Sequence, residues 1–132
     1  MTDITKGCVT VERDVVEQVR ENYQPHDIEL IQYKSGNLLI EIETNIQPIQ
    51  VNVTSPVGYR VLDEGDLLEF WETCTLNHGW LYKILEGGWR DLESTREGFL
   101  SGLQAEAAEW FLVTQNTCVS IISYEIPVVK YK

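Results

Sequence analysis

The sequence of 132 residues is poor in the residue types that build metal and disulfide sites. It has two histidines, His26 and His78, and neither lies in a His-Glu-x-x-His array, so a zinc site of that type is not indicated. Its three cysteines are widely spaced and odd in number, which argues against a disulfide framework. We therefore expect Cys8, Cys74 and Cys118 to be free, buried thiols, and we expect no metal and no cofactor.

Long apolar runs are also missing. No stretch approaches the ~18 apolar residues of a membrane-spanning helix, and the polar residues 1–6 lack the apolar stretch of a secretory signal. Catalytic signatures are absent too, because neither a Gly-x-Ser-x-Gly elbow nor a phosphate loop occurs. Gly87-Gly88 is not followed by the Lys and Ser or Thr of a phosphate loop, and we interpret it as a hairpin turn. These absences predict a cytoplasmic, non-enzymatic protein.

Positive charge is scarce. The chain has 10 Lys and Arg against 21 Asp and Glu, which gives a net charge of −11. Such a field repels phosphate backbones and anionic membrane surfaces, so we expect neither nucleic acid nor a membrane as a direct partner. The charge is unevenly distributed, at −4 over residues 1–60, −8 over 61–109 and +1 over 110–132. The middle of the chain therefore carries most of the negative field.

The chain does contain the patterning of one globular α+β domain spanning residues 1–132. Apolar residues at helical spacing predict a helix over about 11–22 and a second over about 64–74, with Asp63 as its N-cap. Alternating and apolar segments predict strands over 28–33, 38–43, 49–54, 80–85, 110–114 and 118–124, with shorter segments at 59–62 and 128–131. The short connections favour a mainly antiparallel sheet of about six strands with two principal helices.

Acidic and aromatic residues occur together in the middle segment. Charge accelerates association with an oppositely charged partner, and buried aromatic side chains slow dissociation. This mixture predicts a surface that binds a basic protein. The residues assigned to it are Asp63, Glu64, Asp66, Glu69, Glu72, Trp80, Trp89, Asp91 and Glu93. We expect the free protein to be a monomer.

Two other classes of function fit the sequence. A small enzyme could use a carboxylate pair, either Glu41 and Glu43 on one strand face or Asp63 and Asp66 at a helix start. An oligomerising domain could bury the Trp-rich surface against a second copy, although −11 per subunit opposes contact through the acidic part.

Three stretches together resemble a known class of proteins. They are the acidic stretch Asp63 to Glu72, the sequence Gly87-Gly88-Trp89-Arg90-Asp91-Leu92-Glu93, and the closing hairpin Trp110 to Tyr124. Their layout resembles that of small acidic immunity proteins of bacterial toxin systems, including contact-dependent inhibition. The resemblance implies a cytosolic, non-enzymatic inhibitor that binds a cognate basic toxin, in particular a nuclease.

Overall fold

The protein folds mainly into β-strands. A computed structural model describes residues 10–12, of which the backbone alone is described, and residues 23–67, 70, 74, 79–104 and 107–131. The strands within them are β1 (Thr10–Glu12), β2 (Pro25–Lys34), β3 (Asn37–Thr44), β4 (Ile49–Thr54), β5 (Pro56–Asp63), β6 (Leu81–Glu86), β7 (Ala108–Val113), β8 (Thr117–Ser123) and β9 (Val128–Tyr131). Sheet A has the strand order β1-β6-β7-β8-β5, sheet B has the order β2-β3-β4-β9, and neighbouring strands are antiparallel.

The prediction of a mainly antiparallel architecture is confirmed, but the predictions of one sheet of about six strands and of two principal helices are not, because the described residues form nine strands in two sheets. The described residues contain one α-helix, α1 (Trp89–Glu93), and two 3-10 turns, at Glu64–Asp66 and Leu100–Leu103. Residues 10–12 form β1 where the first helix was expected to begin, and residues 13–22 lie outside the described part. Val11, the central residue of β1, is β-branched, and such residues disfavour a helix and suit a strand.

The second predicted helix, over about 64–74, begins differently from the prediction. It starts as the 3-10 turn Glu64–Asp66, and the Cys74 N–H then donates to the Phe70 carbonyl at 2.8 Å. Leu67, Phe70 and Cys74 are all buried, as their helical spacing predicts. Residues 68–69 and 71–73 of this segment lie outside the described residues.

Two predicted hairpins are confirmed. In the β2–β3 hairpin the central residues Ser35 and Gly36 have φ of 51° and 77°. Positive φ at both positions is what a two-residue turn needs in order to match the twist of its strands. Strands β7 and β8 form the second hairpin, in which Val113 is opposite Cys118.

Sheets A and B pack face to face around the larger core. Strand alternation directs Leu38, Ile40 and Ile42 of β3 toward sheet A, and each of these side chains is fully buried. Their partners across the core include Trp110 and Leu112 of β7. We call this side of sheet A its inner face. The sandwich explains why β3 and β4 alternate so regularly between apolar and polar residues.

The opposite, outer face of sheet A is covered as well. Tyr82, Phe111 and Cys118 project from this face and pack against Leu67, Phe70 and Cys74 in a second core cluster. The rings of Phe70 and Phe111 stack with centroids 4.0 Å apart and an interplanar angle of 13°. Sheet A is thus the middle layer of the molecule, which explains the nearly continuous burial of β7 and β8.

Two of the three cysteines belong to this second cluster. Cys74 and Cys118 are free and buried, which confirms the prediction for these two residues, whereas Cys8 lies outside the described residues. Burial raises the pKa of the Cys118 thiol to about 11. Such a thiol stays protonated at neutral pH, so Cys118 acts as a small apolar core residue.

Candidate partner-binding surface

The first group of predicted binding residues lies just after β5. Asp63, Glu64 and Asp66 are all exposed. The Oδ2 atom of Asp63 accepts the Gly65 N–H at 2.9 Å, which confirms its predicted role as an N-cap. The Glu64 N–H donates to the Asn116 carbonyl at 3.0 Å, and this bond ties the turn to the β7–β8 hairpin. Glu69 and Glu72, predicted to continue this group, lie outside the described residues.

The second group belongs to α1 and is more engaged in local structure. Glu93 accepts hydrogen bonds from Nε1 of Trp89 at 3.1 Å and from Nε of Arg96 at 2.7 Å. Asp91 is exposed, and its Oδ2 accepts the Gly87 N–H at 2.7 Å. The Arg60 guanidinium lies over the Trp89 ring, and its Cζ atom is 5.5 Å from the centroid of that ring. Asp91 therefore presents more of its charge to solvent than Glu93 does.

Trp80 does not belong to the surface. It precedes β6, it is 1% exposed, and it packs in the core between the two sheets. The prediction that its ring contacts a partner was wrong for this reason. Trp, Tyr and Phe are common both in cores and in interfaces, so the residue type alone could not distinguish the two environments.

The two acidic groups lie over the same face of sheet A but not together. Strand β5 pairs with β8 so that Asp63 is opposite Thr117 and Gly58 is opposite Ile122. Gly58 lies beside the Trp89 ring, because a Cβ on it would be 3.4 Å from Cη2 of that ring. Gly58 and Asp63 are five positions apart along β5, a span of roughly 17 Å at the usual rise per residue. The structure thus places one group at each end of the outer face.

A residue that the sequence did not single out anchors α1. Glu109 of β7 is only 1% exposed, and its Oε1 accepts the Arg90 N–H at 2.7 Å. The carboxylate therefore lies at the N-terminal end of α1, where the backbone N–H groups have no partners within the helix. The apolar β7 pattern around Glu109 was the available signal, since an acid inside a buried strand needs a specific partner.

The turn before α1 was also interpreted wrongly. Gly87-Gly88 does not close a hairpin but links β6 to α1, with Gly87 at φ 84°. A Cβ on Gly88 would lie 2.6 Å from Oε1 and 2.7 Å from Oε2 of Glu109, and 2.8 Å from Cγ2 of Ile84. Glycine is needed here because the buried carboxylate approaches the backbone so closely.

The environment of Glu109 raises its pKa from 4.5 to about 6. Desolvation by burial is the largest cause of the rise. The backbone N–H groups of Arg90 and Trp89 oppose it, as does the positive charge of Arg60. Burial outweighs these contacts, so the folded state holds the Glu109 proton more tightly than the unfolded chain does.

This raised pKa predicts a specific pH dependence of stability. Because the folded pKa is higher, the contribution of Glu109 to stability is greatest below about pH 4.5 and is lost as the pH rises through about 6. Between about pH 7 and about pH 5, the free energy of unfolding of the wild type should rise by about 1 kcal/mol relative to that of Glu109→Gln. Urea unfolding at both pH values measures the difference. Glu97→Gln, at an exposed position, is the control. If the free energies of unfolding of the wild type and of Glu109→Gln differ by the same amount at both pH values, the raised pKa of Glu109 is contradicted.

Three of the six basic side chains among the described residues, Arg60, Lys83 and Arg90, contact other parts of the protein. Arg90 donates from Nη2 to the Gln104 carbonyl at 2.9 Å and from Nε to the Ala107 carbonyl. Arg60 lies over Trp89, and Nζ of Lys83 is 6.0 Å from the centroid of the Trp110 ring. All three bases are half-buried. Among the described side chains, nine acids are exposed against three bases, Lys34, Arg96 and Lys130.

The carboxylate pairs considered for catalysis lie in ordinary surroundings. Glu41 is half-buried on β3, within 3.5 Å of the Gln50 amide nitrogen, and Glu43 lies 3.9 Å from Nδ1 of His26.

In the part of the chain that the structure describes, no three His, Cys, Asp or Glu side chains are grouped to hold a metal ion. None of the described helices has the length and apolar character needed to span a membrane.

Comparison of the chain with protein families, with curated proteins and with solved structures finds no match. The functional proposal therefore depends on the residues and geometry of this chain alone.

Proposed function

We propose that the protein is a non-enzymatic inhibitor, an immunity protein that binds a cognate basic toxin domain, in particular a nuclease, and occludes its active site. The observation that supports this most is the excess of nine exposed acids over three exposed bases in the described residues. A surface of one sign attracts a partner of the other sign and repels its own copies.

The placement of Arg90 adds to this excess of exposed acids. Its guanidinium is half-buried and is bound by the backbone carbonyls of Gln104 and Ala107. It is therefore not placed to neutralise the exposed carboxylates. In the proposed complex, these carboxylates take the positions that substrate phosphates would occupy on the toxin, and the enzyme cannot bind nucleic acid at the same time.

Reversing the charge of exposed acids after β5 and after α1 should slow association with the basic partner. The double variant Asp66→Lys/Glu97→Lys changes one exposed acid after β5 and one exposed acid in the segment that follows α1. We expect its association rate constant at low ionic strength to fall about tenfold, with a smaller change at high salt. Stopped-flow mixing with the basic domain measures both rates.

A matched variant controls for net charge. Glu29→Lys/Glu43→Lys makes the same change of charge on β2 and β3 of sheet B, where both side chains are exposed. Its association rate should fall only about twofold, as long-range charge alone predicts. Equal slowing by the two double variants would place the interface elsewhere.

The function itself is tested with the C-terminal domain encoded by the gene immediately upstream. We expect this domain to be basic and toxin-like, and its activity on nucleic acid to be abolished by an equimolar amount of the protein. A domain that is bound but stays active would contradict occlusion. If no toxin-like domain is encoded there, and a pull-down from the native host yields no basic protein, the immunity proposal is wrong.

A further inference from the structure

The most exposed large apolar side chains of the described residues lie in one short segment. Leu103 is 82% exposed, Leu100 is 71% exposed and Leu92 is 60% exposed. We call residues 88–104, which include α1 and the Leu100–Leu103 turn, the cap segment. Neither α1 nor this turn contains a buried residue. The leucines of the cap segment therefore do not attach it to sheet A.

The Trp89 ring, which lies beside Gly58 of β5, and several polar contacts attach the cap segment instead. Glu109 accepts the Arg90 N–H, and the Arg90 guanidinium reaches the carbonyls of Gly102 at 3.4 Å and Gln104 at 2.9 Å. The Tyr124 hydroxyl lies 3.4 Å from Oγ of Ser101. These contacts join the two ends of the segment to each other and to sheet A. They hold the leucines outward in a fixed arrangement, as a binding surface requires.

The cap segment contains three acids and two bases, which gives it a net charge of −1. Asp91 and Glu97 are exposed within the segment. Of its two bases, Arg90 is bound by backbone carbonyls, and Arg96 pairs with Glu93 at 2.7 Å and lies 5.8 Å from the centroid of the Phe99 ring. A partner that covers the leucines would thus place its own charged rim against carboxylates, and cationic side chains fit that position.

A cavity of about 480 Å³ adjoins the segment. Gly102 and Leu103 line one side of it, and Lys83, Ile84 and Leu85 of β6 line another. Its charged lining residues, Lys83 and Arg90, are both cationic, so the cavity suits an apolar side chain of a partner seated on the leucines and not a basic one.

We propose that the cap surface, formed by Leu92, Leu100 and Leu103 with the carboxylates of Asp91 and Glu97, binds an amphipathic basic segment of a protein partner. Apolar side chains of that segment cover the leucines, and its Lys and Arg side chains pair with the surrounding carboxylates. This inference deepens the proposed function, on which it rests for the identity of the partner. It moves the centre of the interface from the acidic group after β5 to the cap segment.

A synthetic amphipathic peptide made only of Lys and Leu serves as the probe, and a Glu and Leu peptide of the same pattern serves as its counterpart. The amide chemical shifts of the full chain are followed by NMR at low ionic strength. We expect the Lys and Leu peptide to shift the resonances of residues 91–104 most. The Glu and Leu peptide should shift none of them. Shifts centred on Asp63 to Asp66 or on sheet B, or equal effects of the two peptides, would overturn the inference.

Two double variants sharpen the test. Leu100→Ala/Leu103→Ala removes exposed apolar surface and should weaken peptide binding at least about tenfold. Leu30→Ala/Ile46→Ala makes the same kind of change at exposed positions of β2 and the loop after β3, and should alter the affinity less than about twofold. If the cap variant binds as tightly as the wild type, the cap surface is not the docking site.

The peptide result is independent of the inhibition assay with the upstream-encoded domain. Peptide binding at the cap without inhibition of that domain would contradict the proposed function and leave the docking surface supported. Inhibition that is unaffected by Leu100→Ala/Leu103→Ala would support the function and refute the docking surface.

Discussion

Phe111→Ala is expected to lower the free energy of unfolding by about 4 kcal/mol, the largest effect of any single substitution proposed here. Phe111 is fully buried on the outer face of sheet A, where its ring stacks on that of Phe70 at 4.0 Å. The substitution removes the whole ring from a site enclosed by two layers. Because the surrounding strands cannot collapse into the space, a cavity adds to the lost apolar burial.

Equilibrium unfolding in urea measures this change. Phe99→Ala is the matched control, since Phe99 belongs to neither core cluster and lies half-buried beside Arg96. We expect it to cost about 1 kcal/mol or less. If the two variants lose similar amounts of free energy of unfolding, the residues around Phe70 do not form a packed core against sheet A.

Gly88→Ala is expected to cost about 2–3 kcal/mol, which is large for the addition of one methyl group. The new Cβ would lie 2.6 Å from Oε1 of Glu109 and 2.8 Å from Cγ2 of Ile84. Both neighbours are buried within sheet A, so neither can move aside easily. Either α1 must lift from the sheet or the Glu109 carboxylate must leave its position at the helix N-terminus.

Gly98→Ala provides the comparison in the same segment. Its Cβ would meet only Nη1 of Arg96, at 3.3 Å, and that atom is the end of an exposed, flexible side chain. We expect a change within about 0.5 kcal/mol in urea unfolding. In a Glu109→Ala background, Gly88→Ala should cost less than it does in the wild type, because the closest contacts are gone. Additive losses would show that the carboxylate does not determine the need for glycine.

Local structure could be predicted from the sequence where neighbouring residues decide it. Alternation located β3 and β4 to within one residue of their observed ends, and the turn residues located both hairpins. Each of these features depends on contacts close in sequence or on a two-residue period.

The two-sheet arrangement depends on pairings that sequence patterns do not contain. Strand β9 pairs with β4 and strand β5 pairs with β8, each across many intervening residues. Periodicity shows that a strand has an apolar face but not which strand lies beside it. The sequences of β7 and β8 are ambiguous in the same way, because they lack a regular apolar–polar alternation and fit any element covered on both faces.

The candidate site was predictable in composition but not in geometry. Exposed acids were expected around Asp63 and Asp91, and the structure places both at the surface. Trp80 was misassigned because its burial depends on sheet B, which is distant in sequence. The roles of Glu109 and Arg90 were missed because each depends on one specific contact between β7 and the cap segment.

Association kinetics with the proposed partner, the basic domain that we expect to be encoded immediately upstream, test most directly whether the exposed carboxylates capture a basic protein. We predict an association rate constant of about 10⁸ M⁻¹ s⁻¹ at low salt that falls steeply as the ionic strength rises. Asp66→Lys/Glu97→Lys should lose much of this salt dependence. No association at low salt, or a rate that does not change with salt, would contradict the proposed role of the exposed carboxylates.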